Sequence, residues 1–265
     1  MVIAYICPWI FTQDALSWHL HRHSPVPPSF HSLSHHEVSQ GSTKVFKSRF
    51  GLRQPLLPPA RQSLPSESDL TSQTLEVTVQ PNSTIYLLPD PVTCFRDAAY
   101  NQIQRFHLSE TSSAIILDWV TSGRQSLGED WVFARYYSLI EVFVEGKRIT
   151  RDAMLLEQPR EDAKLLPPRS LADRLAPYSC YATILLYGPL IQGMIADLKV
   201  QYECIAVFKC RHPDNLVWSM SPVTSDGAVV RVAGKETEDV KQWLKLSMKG
   251  IEKLVGTDAY RKAFV

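Results

Sequence analysis

Charge of one sign is missing from this chain: 28 Lys+Arg against 27 Asp+Glu leave a formal net charge of +1 over 265 residues. That balance excludes the basic footprint on which nucleic acid or an anionic membrane surface relies. It also limits solubility unless a partner covers part of the surface. Cysteine is sparse: Cys7, Cys94, Cys180, Cys204 and Cys210 make an odd set of five. No C-x-x-C pair exists, which removes zinc-ribbon and thioredoxin-like frameworks, and so thin a set argues against a disulfide framework. A reducing compartment, the cytosol, is the expectation. Long apolar runs are absent as well. Nothing reaches the ~18 residues of a membrane-spanning helix, and the nearest stretch, Thr183 to Ala196, is broken by Gly188, Pro189, Gln192 and Gly193. The opening MVIAYICPWIF is apolar but carries no basic leading segment and no clear cleavage site, so it does not read as a secretory signal.

Catalytic motifs are missing too. Gly227 to Lys235 ends in Gly-Lys, but its spacing is wrong for a phosphate-binding loop and Glu236 stands where a Ser or Thr would hold magnesium. Gly123 to Gly128 reads G-x-x-S-x-G, one residue longer than a nucleophile elbow. In the part expected to fold, only His107 and His212 remain as bases, and neither lies near a Ser or Cys in a catalytic pattern. A structural role is the expectation for both. A metal-dependent hydrolase would need an H-x-H or H-x-x-x-H there, and none occurs. His19, His21 and His23 alternate, so in a strand they would share a face able to hold nickel or zinc. The competing reading, a His-rich leader with adventitious metal affinity, is preferred because no second shell is evident to orient the rings.

What is present is apolar and mostly β. Hydrophobic residues make up 45% of a chain long enough for a real core. Residues 1–39 hold six of the eight histidines and little apolar periodicity, and read as an atypical, structureless leader. The remainder, 40–265, is expected to form the domain, with the Pro-, Ser- and Gln-rich residues 51–73 as a loop. Strands are predicted at Thr74–Val79, Thr84–Leu88, Ala114–Trp119, Leu139–Val144, Ala182–Tyr187, Cys204–Lys209 and Ala228–Val232. Glu145-Gly146-Lys147 reads as a hairpin turn leading to Arg148-Ile149. The last three strands run almost continuously apolar, as strands buried on both faces do. Helical spacing marks Pro189–Tyr202 and Glu236–Val255, the latter stopped by Gly256. The fold class is mainly β: a large scaffold of many short strands with two or so helices in the C-terminal half.

The unusual stretch runs from Asp118 to Arg135. A strand ends in an acid, Gly123 and Gly128 bracket Arg124, and Glu129 precedes an aromatic strand. Asp118 follows Ile-Ile-Leu and so is expected to be partly buried, where a carboxylate needs a partner. Arg124 is placed to bond it bidentately across the turn. Alternatively, Asp118 and Glu129 face a polar passage as hard oxygen ligands for a divalent ion. Chemistry alone favours the structural ion pair.

The same stretch carries a resemblance. D-W-x-x-S-G-R-x-x-x-G-E-x-W-x-F, from Asp118 and Trp119 through Trp131 to Phe133, is similar to the hallmark of the urease accessory protein D family. Leu87 to Phe95 (LLPDPVTCF) resembles that family's L-x-P-D-P-x-x-x-F segment. Gly41 to Lys47 resembles the end of an early strand, and Gly227 to Gly234, followed by a helix and Tyr260, resembles the family's end. The likeness covers about residues 40–265 and is closest to a fungal type. A G-G-x-x-x-G-D element usual before the Gly-Ser-Thr-Lys segment is missing, so an atypical or truncated start with unpaired edge strands is expected.

The resemblance implies a non-enzymatic, cytoplasmic assembly factor on a β-rich scaffold. It implies binding to a type F accessory protein that recruits a nickel-carrying GTPase of type G, and docking on apo-urease. Nickel(II) would pass transiently through an internal, water-filled route, with no tightly bound cofactor. Such a route needs weak, successive contacts, since a tight site would trap the ion. Asp118, Glu129, Asp90 and Asp152 are the candidates for its lining, with Arg124 fixing the turn. Glu141 is a weaker candidate, because its strand neighbours suggest an exposed face. In the alternative reading the protein is a pure interaction scaffold, in which Trp119, Trp131, Phe133, Tyr136, Tyr137 and the C-terminal helix hold partners and the acids only pair with arginines.

Overall fold

A computed structural model describes residues 31–38, 43–46, 70–159, 169–208 and 215–264, with side chains from residue 70 onward except 206–208. The chain runs β1 (His31–Val38), β2 (Thr43–Phe46), β3 (Leu70–Val79), β4 (Thr84–Leu87), β5 (Val92–Thr93), β6 (Ala99–Leu108), β7 (Ser113–Thr121), β8 (Arg135–Val144) and β9 (Lys147–Glu157). It continues through α1 (Leu171–Leu175), β10 (Cys180–Tyr187), α2 (Gln192–Phe208), β11 (Leu216–Thr224), β12 (Gly227–Gly234), α3 (Thr237–Ser247), α4 (Glu252–Val255) and α5 (Thr257–Ala263). The fold is mainly β, as predicted, and all five described helices follow Ser170.

Two sheets face each other. The front sheet has the order β1-β3-β6-β8-β9, and the back sheet β11-β12-β10-β7-β4-β2 with β5 beside β7. In the front sheet β1, β3, β6 and β8 are parallel; in the back sheet β2, β4 and β7 are parallel. The chain therefore coils, laying one strand on the front, the next on the back, and each beside its predecessor. The coil ends at a two-residue hairpin turn where the sequence predicts one: Glu145 and Gly146 take φ of 46° and 76°, the twist that joins adjacent antiparallel strands. From there β9 closes the front sheet, and β10 and β12 extend the back sheet antiparallel.

The two faces of the back sheet explain its sequence. Its inner face places Ile85, Leu87, Ile116, Leu185 and Val229 against Val77, Phe106, Ile140 and Val142 of the front sheet. Its outer face places Ile115, Leu117, Ile184 and Val230 under Leu198, Val240, Leu244, Met248 and Ile251 of the helical layer. β7 is buried at every position, which is why it reads as an unbroken apolar run instead of an alternation. Where β10 turns into α2, Gly188 has φ of 103°, and a Cβ there would meet the Ser112 carbonyl oxygen at 2.1 Å. Only glycine fits that crossing.

Several expectations are corrected. α2 continues to Phe208, so the strand expected at Cys204–Lys209 is helix as far as it is described. The run Cys-Ile-Ala-Val-Phe has no periodicity of its own to separate the two states; it extends a helix already anchored through Met194 and Leu198. The long helix expected over Glu236–Val255 breaks at Gly250 into α3, a single 3-10 turn over Lys249–Ile251, and α4. Helical spacing there puts Val240, Trp243, Leu244, Ile251, Leu254 and Val255 on one face; Val240, Leu244, Ile251 and Val255 are buried and Trp243 packs partly buried on the same core, whereas Leu254 is exposed. β3 starts at Leu70, inside the expected loop, whose residues 51–69 lie outside the described residues. Within the expected leader, His31–Val38 forms β1. His19, His21 and His23 lie outside the described residues, as does His212.

Candidate functional site: a polar rung between the sheets

Strand register puts one polar residue after another at the same level of an otherwise apolar sandwich. On the front sheet Gln73, Gln102 and Ser138 are successive cross-strand partners. On the back sheet Asp118, Thr183 and Arg231 are successive partners at β7, β10 and β12. Their alternation with Phe106, Ile116, Ile140, Leu185 and Val229 points them inward. One apolar cluster holds Phe106, Ile116 and Ile140, another Tyr100, Val120 and Tyr136, and the rung lies between them. One step toward the first cluster come Gln104 and Asp152, the partners of Ile140's level on β6 and β9.

Asp118 is the centre of the rung, at 8% exposure. Ser138 Oγ donates to its Oδ2 at 2.6 Å, and Gln102 Nε2 donates to its Oδ1 at 3.0 Å. The Tyr136 hydroxyl reaches Oδ1 at 3.5 Å. Tyr100, which donates to Gln73 Oε1 at 2.6 Å and lies 3.2 Å from Gln102 Oε1, carries the polar row on to β3. Among the described residues no Lys or Arg forms an ion pair with Asp118. Burial therefore pushes its carboxyl above the usual range; the hydrogen bonds from Ser138 and Gln102 pull it back, and the nearby Asp152 charge adds to the rise. Gln104 Oε1 is buried with no hydrogen-bond partner. A buried amide oxygen left so is costly, and it marks a place that a water or a cation would satisfy.

The Asp118–Arg124 pair expected from the sequence does not form. Arg124 instead grips Glu129, with Nε to Oε2 at 2.8 Å and Nη2 to Oε1 at 2.5 Å, and its guanidinium lies 4.1 Å over the Phe95 ring. The hydrogen bonds from Arg124 hold the Glu129 carboxyl below its usual range despite burial. The reason is direction. Asp118 points into the sandwich from within β7, while Arg124 sits beyond the strand end, where Gly123 at φ of 130° turns the chain away. Trp131, at φ of 51°, is bonded from its backbone N–H to the Ser122 carbonyl at 2.6 Å and from Nε1 to the Tyr178 carbonyl at 3.1 Å. Trp119 lies on the outer face of β7 and donates to the Pro89 carbonyl at 2.8 Å. The Asp-Trp to Trp-Val-Phe motif is thus a folded corner, with Gly128 at φ of 71°, that returns β7 to the front sheet at β8.

The other acids separate. Asp152 lies on β9, the edge strand of the front sheet, 17% exposed at its side chain, and bonds to Arg231 of β12 in the back sheet. Asp90 is partly buried between β4 and β5. Glu141 is on the outer face of the front sheet, as its neighbours suggest, but it is not exposed: Arg105, Arg148 and Arg151 cover it to 7%. Among the described residues no three His, Cys, Asp or Glu side chains converge on a metal-sized site. His107 bonds to Glu76 at 3.0 Å and stacks on Phe143 at 5.0 Å, the structural role expected of it. Gln102, Gln104, Ser138 and Thr183 were not singled out from the sequence. Their signal is parity: each is a polar residue at an inward position of an alternating or apolar strand.

These features define a scaffold: two coiled sheets, a helical layer, and a polar interior in which Asp118 meets neutral side chains and Asp152 pairs with Arg231. A family model described as UreD urease accessory protein matches residues 35–263. The chain is 35% identical to urease accessory protein 4 of Cryptococcus neoformans var. grubii over 234 residues, 83% of this chain and 70% of that protein. It is 28% identical to urease accessory protein D of Oryza sativa subsp. indica over 243 residues, 84% of this chain and 72% of that protein. It is 29% identical to urease accessory protein UreD of Anaeromyxobacter over 224 residues, 84% of this chain and 66% of that protein. The chain belongs to the UreD family of urease accessory proteins. Among the described residues no helix is long and apolar enough to cross a membrane.

Proposed function

We propose that this chain is a urease maturation factor whose interior rung gives nickel(II) a path between the two sheets toward apo-urease. The observation that carries the reading is Asp118: an inward carboxylate that forms no ion pair among the described residues and is met by Ser138, Gln102 and Tyr136, with the unpartnered Gln104 oxygen one step along β6. One carboxylate among neutral oxygens is a weak, hard donor set. It holds a divalent ion long enough to replace lost hydration and not long enough to trap it. Asp152 supplies a second oxygen contact near the sheet edge, and Asp90 a further candidate where β4 ends. Glu129, with both oxygens held by Arg124, serves the turn. Nickel is cargo in this scheme, and no cofactor is held tightly. The partners are a type F accessory protein, the type G GTPase that carries the ion, and apo-urease; neither nucleic acid nor a membrane takes part. The place is the cytoplasm, in keeping with the free thiols of Cys94, Cys180 and Cys204.

A second reading, an interaction scaffold without nickel contact, is favoured by one set of observations: Glu129, Glu141 and Asp152 all pair with arginines. Complementation separates the outcomes. The chain is expressed in a host lacking its own D protein, and urease activity and urease-bound nickel are measured. Restored activity with bound nickel is expected. Normal complex formation and full nickel loading by Asp118→Ala would favour the scaffold reading.

A further inference from the structure

β9 ends the front sheet and β11 ends the back sheet, and no backbone pairing joins the two strands. Side chains close the seam between them. Toward the turn between β8 and β9, Ile149 and Val223 pack on the inner apolar core. Toward the corner between β7 and β8, Met154 and Leu156 pack on the second cluster. Between these apolar stretches stands a polar closure, Arg231 bonded to Asp152. Among the described residues no other ion pair joins the two sheets. The pair also stands at the end of the rung's own row: Arg231 is the partner of Thr183 on β10, and Thr183 is the partner of Asp118 on β7.

The two halves of the pair are unequal. The Arg231 side chain is 51% exposed and that of Asp152 17%. Ser219, beside Arg231 on β11, is short and exposed, which leaves the guanidinium room to swing into water. An ion pair with so exposed an arginine is weakly held, so a clamp serving stability alone gains little from it. Its carboxylate, fixed on a strand, is a hard oxygen donor of the kind a divalent ion accepts.

We propose that Arg231 is a displaceable gate on the rung: it closes the side of the sandwich between β9 and β11 and yields Asp152 to an incoming nickel(II) ion. The proposal rests on the nickel-path reading above. The exchange keeps charges matched. The guanidinium swings outward as the ion arrives, so Asp152 is never left without a cation. When the ion moves on to Asp118, the arginine returns to Asp152 and closes the way back.

Thr183 lies directly behind Arg231 and is 2% exposed, so it reports whether the side is open. The purified Thr183→Cys chain, alone and combined with Arg231→Gln, is treated with aminoethyl methanethiosulfonate, a small cationic thiol reagent, and labelling of the introduced thiol is followed by mass spectrometry. Cys180, buried on the same strand, reports any general loosening. Labelling about fivefold faster with Arg231→Gln, while Cys180 stays protected, is expected. Unchanged labelling, or Cys180 exposed in step, overturns the gate. Urease-bound nickel at limiting supply is measured alongside by complementation, in chains that keep Thr183. Asp152→Asn is expected to lose nickel loading and Arg231→Gln to retain it, since only the first removes a contact for the ion. Equal losses mark a clamp and overturn the gate; if Asp118→Ala then also loads less nickel, the path reading stands without it. Full loading by Asp118→Ala and Asp152→Asn alike overturns the path reading, and the gate with it.

Discussion

Asp118 and Glu141 are both mostly buried acids, and they titrate in opposite senses because one has no cation and the other has three arginines. For Asp118 the folded state keeps its proton to a higher pH than the unfolded chain does. Its contribution is therefore complete below the ordinary carboxylate range and is lost as pH rises through the raised value. Asp118→Asn cannot ionise, so its melting temperature is expected to gain on wild type as pH climbs; parallel curves would contradict the assignment. For Glu141 burial raises the pKa, but the hydrogen bonds from Arg105 and Arg148 outweigh it and the net shift is down. Its stabilisation is present above the ordinary range and is lost as pH falls through the lowered value. Glu141→Gln is expected to cost stability near neutrality and less in acid, read from the same melts. Ser138→Ala removes the shorter of the two close bonds to Asp118 and is expected to cost about 1–3 kcal/mol by denaturant unfolding.

At the scale of elements, the corner between β7 and β8 is the part whose sequence is most distinctive and whose role is most structural. Trp131 is 2% exposed and packs on Phe133 and Tyr181 with ring centroids at 5.8 Å in each case. Trp131→Ala is expected to cost about 3–5 kcal/mol, and Trp131→Phe, which keeps most of the packing and loses the bond to Tyr178, about 1 kcal/mol. Equal losses in the two variants would contradict this division. Strands with their own periodicity, such as β3, and hairpin chemistry, such as Glu145-Gly146, were legible in the sequence. So was the core face of α3. The Cys204–Lys209 run was not, since four or five apolar residues fit a strand or a buried helix equally and only the packing of α2 decides. The partner of Arg124 was also hidden. Sequence spacing puts Asp118 and Glu129 within comparable reach of it, and the choice depends on which face of β7 Asp118 occupies. That facing is set by a sheet register that no local pattern encodes.

For the whole molecule, the coil is what turns isolated polar residues into a continuous layer. Parallel strands laid in succession bring Gln73, Gln102 and Ser138, far apart in sequence, to one level of the front sheet, and the antiparallel register of β7, β10 and β12 brings Asp118, Thr183 and Arg231 to one level of the back sheet. An apolar sandwich gains nothing in stability from such a layer, since buried polar groups at best recover what they lose in leaving water. Its cost is explained by use, and the proposed use is passage of a hydrated or partly hydrated nickel ion.

The most direct measurement is the nickel content of urease matured with a blocked rung. Asp118→Leu and Gln102→Leu replace polar groups at the centre with apolar ones of similar size, and binding to the type F protein and apo-urease is checked alongside. Intact binding with urease nickel reduced to the level of a host without the chain is the expected result. Intact binding with full nickel loading would show that the ion does not travel between the sheets, and would contradict the account.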